Sequence, residues 1–306
     1  MKRRLVEQGG STMMVSLPIA WIKKFGLKKG DEVEVAEINN DLIVSTDNCF
    51  NNNKAVINLE GVSQWGVQHF IRSAYIYGYD DFTLTHSTEQ RKFVENYIIT
   101  NFQNLTFEKQ SNKECTLKSI AENVYSELPM VMKRNFLLVL SMFELLLNGI
   151  KQKNMEELKD VLPMEGTNNQ LTNFCERTLN KKRVSDQKKA VYMYLIVWTV
   201  EKIADLLKVI SKYLLSVKKL KLSKDILTEL DSINSLFRKV FELYCKFDKS
   251  KYDEVAGIFA NAIENQALVF AKAKTKEDVV VFNLLFEIKT RTADIMTPIF
   301  VINNFD

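Results

Sequence analysis

The spacing of apolar and polar positions changes twice along this 306-residue chain. Over residues 1–48 the apolar runs are short and separated by turn formers. Lys2–Val6 reads as a first strand, Gly9-Gly10-Ser11-Thr12 as a loop, and Met13–Leu17 as a second strand. Pro18 ends that strand, because proline fixes φ and brings no N–H, and it suits the first turn of a helix. That helix, Ile19–Phe25, is closed by Gly26 in the left-handed conformation of a C-terminal cap. Lys28-Lys29-Gly30-Asp31 is a turn. Glu32–Ile38 alternates, with Val33, Val35 and Ile38 pointing inward, and Asn39-Asn40-Asp41 returns the chain through Leu42-Ile43-Val44.

A polar break follows at Cys49–Lys54, rich in asparagine. Residues 54–118 then alternate strand and helix patterns. Ala55–Leu59, Phe82–Thr85, Leu105–Glu108 and Cys115–Leu117 read as strands, Ser63–Tyr77 and Thr88–Phe102 as helices. Trp65, Phe70, Ala74 and Tyr77 are expected on the apolar face of the first helix. Such alternation predicts a small α/β layer. From residue 120 strand signals vanish. Helical spacing predicts helices at 120–152, 155–180, 186–216, 223–248, 250–273 and 276–301, with Pro129 near the start of the first. Ile196, Val200, Ile203, Leu207, Ile210 and Leu214 form a continuous helical seam. Six antiparallel helices in two sets of three make two linked bundles. The fold class is thus multidomain α+β, divided as 1–48, 54–118 and 120–306.

Charge sharpens this division. The net charge of +4 hides an asymmetry, for residues 1–30 hold Lys2, Arg3, Arg4, Lys23, Lys24, Lys28 and Lys29 against Glu7 alone. A positive field gathered at one end suits an anionic polymer. Backbone N–H groups of the Gly9-Gly10 loop, the hydroxyls of Ser11 and Thr12, and the neighbouring Lys2, Arg3, Arg4, Lys23 and Lys24 are groups that hold phosphates. The four cysteines, Cys49, Cys115, Cys175 and Cys245, are too far apart for a zinc motif and fit a reducing cytoplasm. Only His69 and His86 occur, neither in a nucleophile motif, so no catalytic residue is assigned and no enzyme is expected. The longest apolar run, Ala190–Val200, is too short to span a bilayer, and no membrane insertion is expected.

The motifs G-S-T-x-x-V-S-L-P-x-x-W, F-G-L-K-K-G-D-E-V and D-L-I-V within Gly10–Val44 resemble the SpoVT-AbrB swapped-hairpin domain, the DNA-binding module of AbrB-type regulators and MazE-type antitoxins. The resemblance implies a small swapped-hairpin β-barrel shared by a homodimer. A segment this short buries too little apolar surface alone, which argues the same way. Arg72–Asp80 resembles the intervening segment of archaeal regulators that fuse this module to a PhoU domain. The two three-helix halves, with Val200–Asp205 (VEKIAD) on the third helix, look like the PhoU family of phosphate-uptake regulators. That family's E-x-x-x-D motif places two carboxylates on one helical face, where a cation can sit between them. Glu201 and Asp205 match it, and the partner position on the preceding helix falls at Glu165 and Asn169, the asparagine replacing an acid. The resemblance thus implies a divalent or iron-type metal at Glu201, Asp205 and Glu165. Lys208, three residues beyond Asp205, can instead pair with it. In the second half Glu287 and Asp294 are present, but Arg291 occupies the i+4 position and opposes a cation.

These readings together imply a DNA-binding transcription regulator of phosphate uptake whose helical part senses a ligand or binds a partner. An adaptor that docks on a phosphate transporter or signalling protein without DNA is the alternative, with an antitoxin-like role as its variant. A metal-dependent hydrolase is the third reading, and it lacks a nucleophile and a paired general base.

Overall fold

The computed structural model describes residues 2–10, 12–38, 41–46, 54–102, 104–120, 125–181, 187–217 and 221–305. It divides into two compact units, Met1–Asn52 and Asn53–Asp306. The Asn39-Asn40 turn, Cys49 with its asparagine-rich linker, and residues 121–124, 182–186 and 218–220 lie outside the described residues.

In the first unit β1 (Val6–Gln8) pairs antiparallel with β2 (Thr12–Met14), Val6 opposite Met14 and Gln8 opposite Thr12, around a turn in which Gly9 takes φ +66°. The first strand lies later than Lys2–Val6 and the second ends earlier than Leu17. Residues 15–18 leave the ladder on the way to the next helix, so among the described residues no strand lies opposite residues 2–5. The helix α1 (Ile19–Lys24) starts after Pro18. It ends in a Schellman cap. Gly26 at φ +66° donates its N–H to the Lys23 carbonyl (3.3 Å), and Leu27 donates to Ile22 (3.1 Å). The Lys28–Asp31 turn is held by the Lys28 N–H donating to Asp31 Oδ2 at 2.7 Å. A second hairpin joins β3 (Glu34–Ile38) to β4 (Asp41–Ser45), with Val35 opposite Val44.

The two hairpins are separate two-stranded sheets, and among the described residues no barrel closes within one chain. Leu5, Val6, Met13, Met14, Val15, Ile19, Val35 and Leu42 are all exposed, Ile19 at 67% and Leu42 at 70%. Two-stranded hairpins are marginal alone in water. A swapped-hairpin fold, in which a second copy supplies the missing strands, accounts for both the open sheets and the bare apolar face.

The second unit begins with a four-stranded sheet in the order β5-β6-β8-β7, formed by β5 (Lys54–Asn58), β6 (Asp81–Thr85), β7 (Leu105–Gln110) and β8 (Glu114–Ser119). β5 and β6 are parallel and joined by α2 (Gln64–Tyr77); β8 is antiparallel to both its neighbours. Ser63 caps α2 by accepting from the Gly66 N–H at 3.2 Å. Of the apolar face expected on α2 only Ala74 is buried. Val67, Ile71, Ala74 and Tyr75 are buried, whereas Trp65, Phe70 and Tyr77 are exposed. Both stripes recur at helical spacing, and Val67, Ile71 and Tyr75 of the buried one share a core with Phe82, Leu84 and Leu117 of the sheet. The second helix, α3 (Arg91–Asn101), starts three residues later than expected, because Ser87 and Gln90 hydrogen-bond to each other as a turn.

The helices follow: a 3₁₀ turn at Tyr125–Glu127, then α4 (Leu128–Gln152), α5 (Met155–Lys181), α6 (Gln187–Ser216), α7 (Lys224–Cys245), α8 (Lys249–Glu264), α9 (Gln266–Phe270), α10 (Lys276–Asp294) and α11 (Met296–Asn304). Pro129 sits in the first turn of α4, where its missing N–H costs nothing. The expected helix at 250–273 breaks at Asn265, whose side chain donates to the Asn261 carbonyl (2.9 Å). The expected helix at 276–301 breaks at Ile295, three residues before Pro298, which cannot donate to the preceding turn. The seam from Ile196 to Leu214 is fully buried. It lies in one continuous core that draws on both sets of three helices, with α10 against α6 and α7, and α4 against α7. The sheet layer has its own core around Val67, Ile71, Phe82, Leu84 and Leu117, and α2 and α3 pack against α5.

Candidate functional site

Two regions carry the sequence-predicted site residues. The first is the N-terminal unit. Lys2, Arg3, Arg4, Thr12, Lys23 and Lys24 are all exposed; Ser11 lies outside the described residues. Thr12 begins β2, while Lys23 and Lys24 form the last turn of α1, where positive charge complements the helix dipole. Lys24 Nζ lies 5.5 Å from the centroid of the Phe25 ring, which stands 5.4 Å from that of Trp21. Among the described residues no ion pair involves Lys2, Arg3, Arg4, Lys23, Lys24, Lys28 or Lys29. They are free for phosphate contacts, while Glu7, Asp31, Glu32, Glu34, Glu37, Asp41 and Asp47 bring the net charge of residues 1–48 to zero.

The second region is the seam between α5 and α6. A polar row runs down α5 at helical spacing: Glu165, Asn168, Thr172, Asn173, Glu176 and Arg177, all buried. Each requires a partner there. Asn135 of α4 accepts from Asn168 (2.6 Å) and donates to the Thr172 hydroxyl (3.0 Å). Arg72 of α2 donates to Asn173 Oδ1 (2.8 Å) and Glu176 Oε2 (2.9 Å). Arg177 donates to the Tyr75 carbonyl (2.6 Å) and Asp80 (2.7 Å) and lies over the Tyr75 ring; Lys181 joins it on Asp80.

The expected metal residues meet in this row. Lys208 pairs with Glu165 and, at 3.1 Å, with Asp205 Oδ1. Lys202 lies 2.8 Å from Glu201 Oε2 and 3.4 Å from Asp205 Oδ2. Asn169 donates to Glu165 Oε1 (2.8 Å). Burial raises the Glu201 carboxyl above its ordinary value, against Lys202. Burial also pushes on Asp205, but Lys208 and Lys202 outweigh it and hold that carboxyl low. Burial raises Glu176 as well, with Arg72 opposing and Glu201 reinforcing; Tyr194 stands beside it and is pushed up to about 12. A hard cation asks for about six oxygens converging on one point. Here the carboxylate oxygens converge on two ammonium groups. Among the described residues no three His, Cys, Asp or Glu side chains come together in a metal-holding group. As arranged, these residues do not fit a metal ion.

In the second half Arg291 lies 3.6 Å from Glu287, and its guanidinium stands beside the Trp198 ring with Lys202 (each 5.7 Å from the ring centroid). Lys289, 3% exposed, pairs with Glu229. Sequence reasoning missed Arg72, Asn173, Glu176 and Lys202. For Asn173 and Glu176 the signal was the run of polar residues three and four apart on α5, while nothing local marks Arg72 on α2 or Lys202 on α6 as their partners. His86 is buried, with Nδ1 3.0 Å from the Ser87 carbonyl, and His69 packs on Trp65 at the surface. Burial pushes the Cys115 thiol up to about 12 and raises Cys175 further, so neither is a poised nucleophile. No helix among the described residues is long and apolar enough to cross a membrane.

The family model described as antidote-toxin recognition MazE, bacterial antitoxin, matches residues 6–46. The N-terminal module is therefore MazE/AbrB-like, in line with its two hairpins and Pro18-initiated helix. Among solved structures, the crystal structure of the phosphate transport system regulatory protein PhoU from Streptococcus pneumoniae is similar to this chain. It is 15% identical with a TM-score of 0.47, over 58% of this chain and 94% of that one. No curated protein matches.

Proposed function

We propose that the chain is a DNA-binding transcription regulator of phosphate uptake that works in the cytoplasm as a homodimer. The observation that carries this reading is the set of seven exposed cations over residues 1–30, none ion-paired among the described residues, four of them within the MazE/AbrB-like match and Lys2, Arg3 and Arg4 just before it. Two copies close the β-fold that one copy leaves open, covering the apolar face that includes Ile19 and Leu42. Lys2, Arg3, Arg4, Thr12, Lys23 and Lys24 then contact phosphates, with Ser11 in the same loop. The helical part senses a ligand or binds a partner, and the order of its six helical stretches with VEKIAD on the third supports a phosphate-linked role. The test is binding of the full chain to pooled genomic DNA fragments at two salt concentrations, beside a Lys2/Arg3/Arg4→Ala variant. Salt-dependent binding with enriched fragments is expected. The variant loses up to about 3 from the log–log salt slope per protomer if each side chain meets one phosphate. Absence of binding at either salt overturns the reading.

The description of the matched family favours a second reading, in which the module neutralises a toxin. Growth rescue of a toxin-expressing strain by residues 1–48 together with absent DNA binding would transfer the weight to it. An adaptor role on a phosphate transporter or signalling protein would show as a partner captured by the helical part of a chain that ignores DNA.

A further inference from the structure

We propose that the carboxylate row between α5 and α6 is closed by three cations of the chain itself, Arg72, Lys202 and Lys208, and serves as the latch that holds the α/β layer on the bundle in place of a bound metal ion. Four carboxylates line the row: Glu165, Glu176, Glu201 and Asp205. Lys208 bridges Glu165 on α5 to Asp205 on α6, so it spans the gap that a divalent ion would span. Lys202 bridges Glu201 and Asp205, the i and i+4 pair, from the same helix. Both ammonium groups lie where a cation between these carboxylates would have to stand. A dication would meet strong repulsion and would have to displace both.

The third cation comes from elsewhere in the fold. Arg72 projects from α2 of the sheet layer and reaches Glu176, which is 1% exposed, with a guanidinium that also grips Asn173. A buried carboxylate next to Glu201 needs that countercharge, because truncating one partner of a buried pair leaves the other uncompensated. The α/β layer thus supplies part of the neutralisation of the bundle's own acidic row. Arg177, from the bundle side, returns the arrangement by reaching Tyr75 and Asp80 of the α/β layer. Glu176 Oε1 makes no hydrogen bond of ordinary geometry among the described residues, and the Tyr194 hydroxyl is the donor that stands beside this carboxylate. Glu201 Oε2, Asn168 Oδ1 and Asn169 Oδ1 are likewise without a hydrogen-bond partner, but Lys202 Nζ stands 2.8 Å from the Glu201 oxygen, so the charge there is already met by the chain. In the second half buried Lys289 of α10 pairs with Glu229 of α7, a further carboxylate met by a lysine of the chain.

The test has two arms on the full chain. In the first, purified protein is analysed for metals, and melting is followed in EDTA and in about 1 mM manganese or magnesium, a range that fills ordinary hard-cation sites. The expected result is less than about one ion per ten chains and a shift under about 1 °C in every condition. Stoichiometric metal whose removal lowers the melting point overturns the proposal. In the second arm, hydrogen exchange is compared in Arg72→Met, Arg72→Lys and Arg72→Met/Glu176→Gln. Arg72→Met is expected to speed exchange across Gln64–Tyr77 about tenfold or more while the α6 seam stays protected. Arg72→Lys falls between, and the double variant regains most of the protection because the uncompensated charge is gone. Unchanged exchange in Arg72→Met, or no recovery in the double variant, refutes the latch.

Discussion

Arg177→Met isolates the contribution of the arginine that clamps the α/β layer from the bundle side. The side chain is 7% exposed. Methionine keeps the stem and removes three interactions: the bond to the Tyr75 carbonyl at 2.6 Å, the charge-assisted bond to Asp80 at 2.7 Å, and the stacking of the guanidinium 4.8 Å from the Tyr75 ring centroid. The carbonyl bond is buried and its loss strands an acceptor, at about 1.5–2 kcal/mol. Asp80 is about one-third exposed and keeps Lys181, so its bond is discounted to about 1 kcal/mol. Stacking adds about 1 kcal/mol. Against these stands the desolvation of the guanidinium, which methionine avoids. Burial is the main cause pulling Arg177 below its ordinary value, with Tyr75 and Asp80 opposing. Returning about 1 kcal/mol for that leaves a net loss of about 2.5–3 kcal/mol. Urea unfolding should show this as a lower midpoint with unchanged slope, and the melting point should fall by about 5–10 °C. An Asp80→Asn cycle should give a coupling near 1 kcal/mol, small because Lys181 shares Asp80. A loss under about 0.5 kcal/mol, within the range of ordinary surface substitutions, would refute the reasoning.

Two further perturbations test the helical part. Asp278, wholly enclosed, accepts from the N–H groups of Ser223 (2.9 Å), Lys274 (2.9 Å) and Thr275 (3.2 Å), tying the start of α7 to the start of α10. Asp278→Ala should cost about 2–3 kcal/mol and Asp278→Asn roughly half, measured by urea unfolding. Burial pushes its carboxyl up, but the three N–H donors outweigh it and hold it below the ordinary aspartate value. The stabilisation is therefore complete above the unfolded value of about 3.9 and is lost as pH falls through the folded one, and Asp278→Ala should remove that acid-side slope. Gly149→Ala would put Cβ 2.7 Å from Leu158 Cδ2 and 3.2 Å from the Asn154 carbonyl, with Leu158 fully buried. It should cost about 1–2 kcal/mol, while Gly166→Ala, facing open space, should be neutral or stabilising by up to about 1 kcal/mol; the melting points of the two variants decide.

The sequence by itself determined the local elements whose cause is local. Pro18, Gly26 and the Lys28–Asp31 turn set the β–α–turn–β path of the N-terminal module, and alternating strand and helix spacing marked the α/β layer. Three- and four-residue spacing from Ile196 to Leu214 identified a buried seam in α6. These are backbone constraints and single-face patterns, which neighbours in sequence suffice to express. The surplus of positive charge over residues 1–30 was legible for the same reason, since it needs only a count.

What only the tertiary structure decided are the matters of who meets whom. On α2 both Trp65–Tyr77 and Val67–Tyr75 sit at helical spacing, and the packing against the sheet chose the second. The strand register of β1 depends on where β2 leaves the ladder. Above all, Glu201 and Asp205 read as a metal pair in one helix. Lys208 reaching Glu165 on the neighbouring helix, and Arg72 reaching Glu176 from 104 residues away, turn that row into one the chain neutralises itself. Charge is a property of a residue, but compensation is a property of a place, and places are made only when distant segments pack.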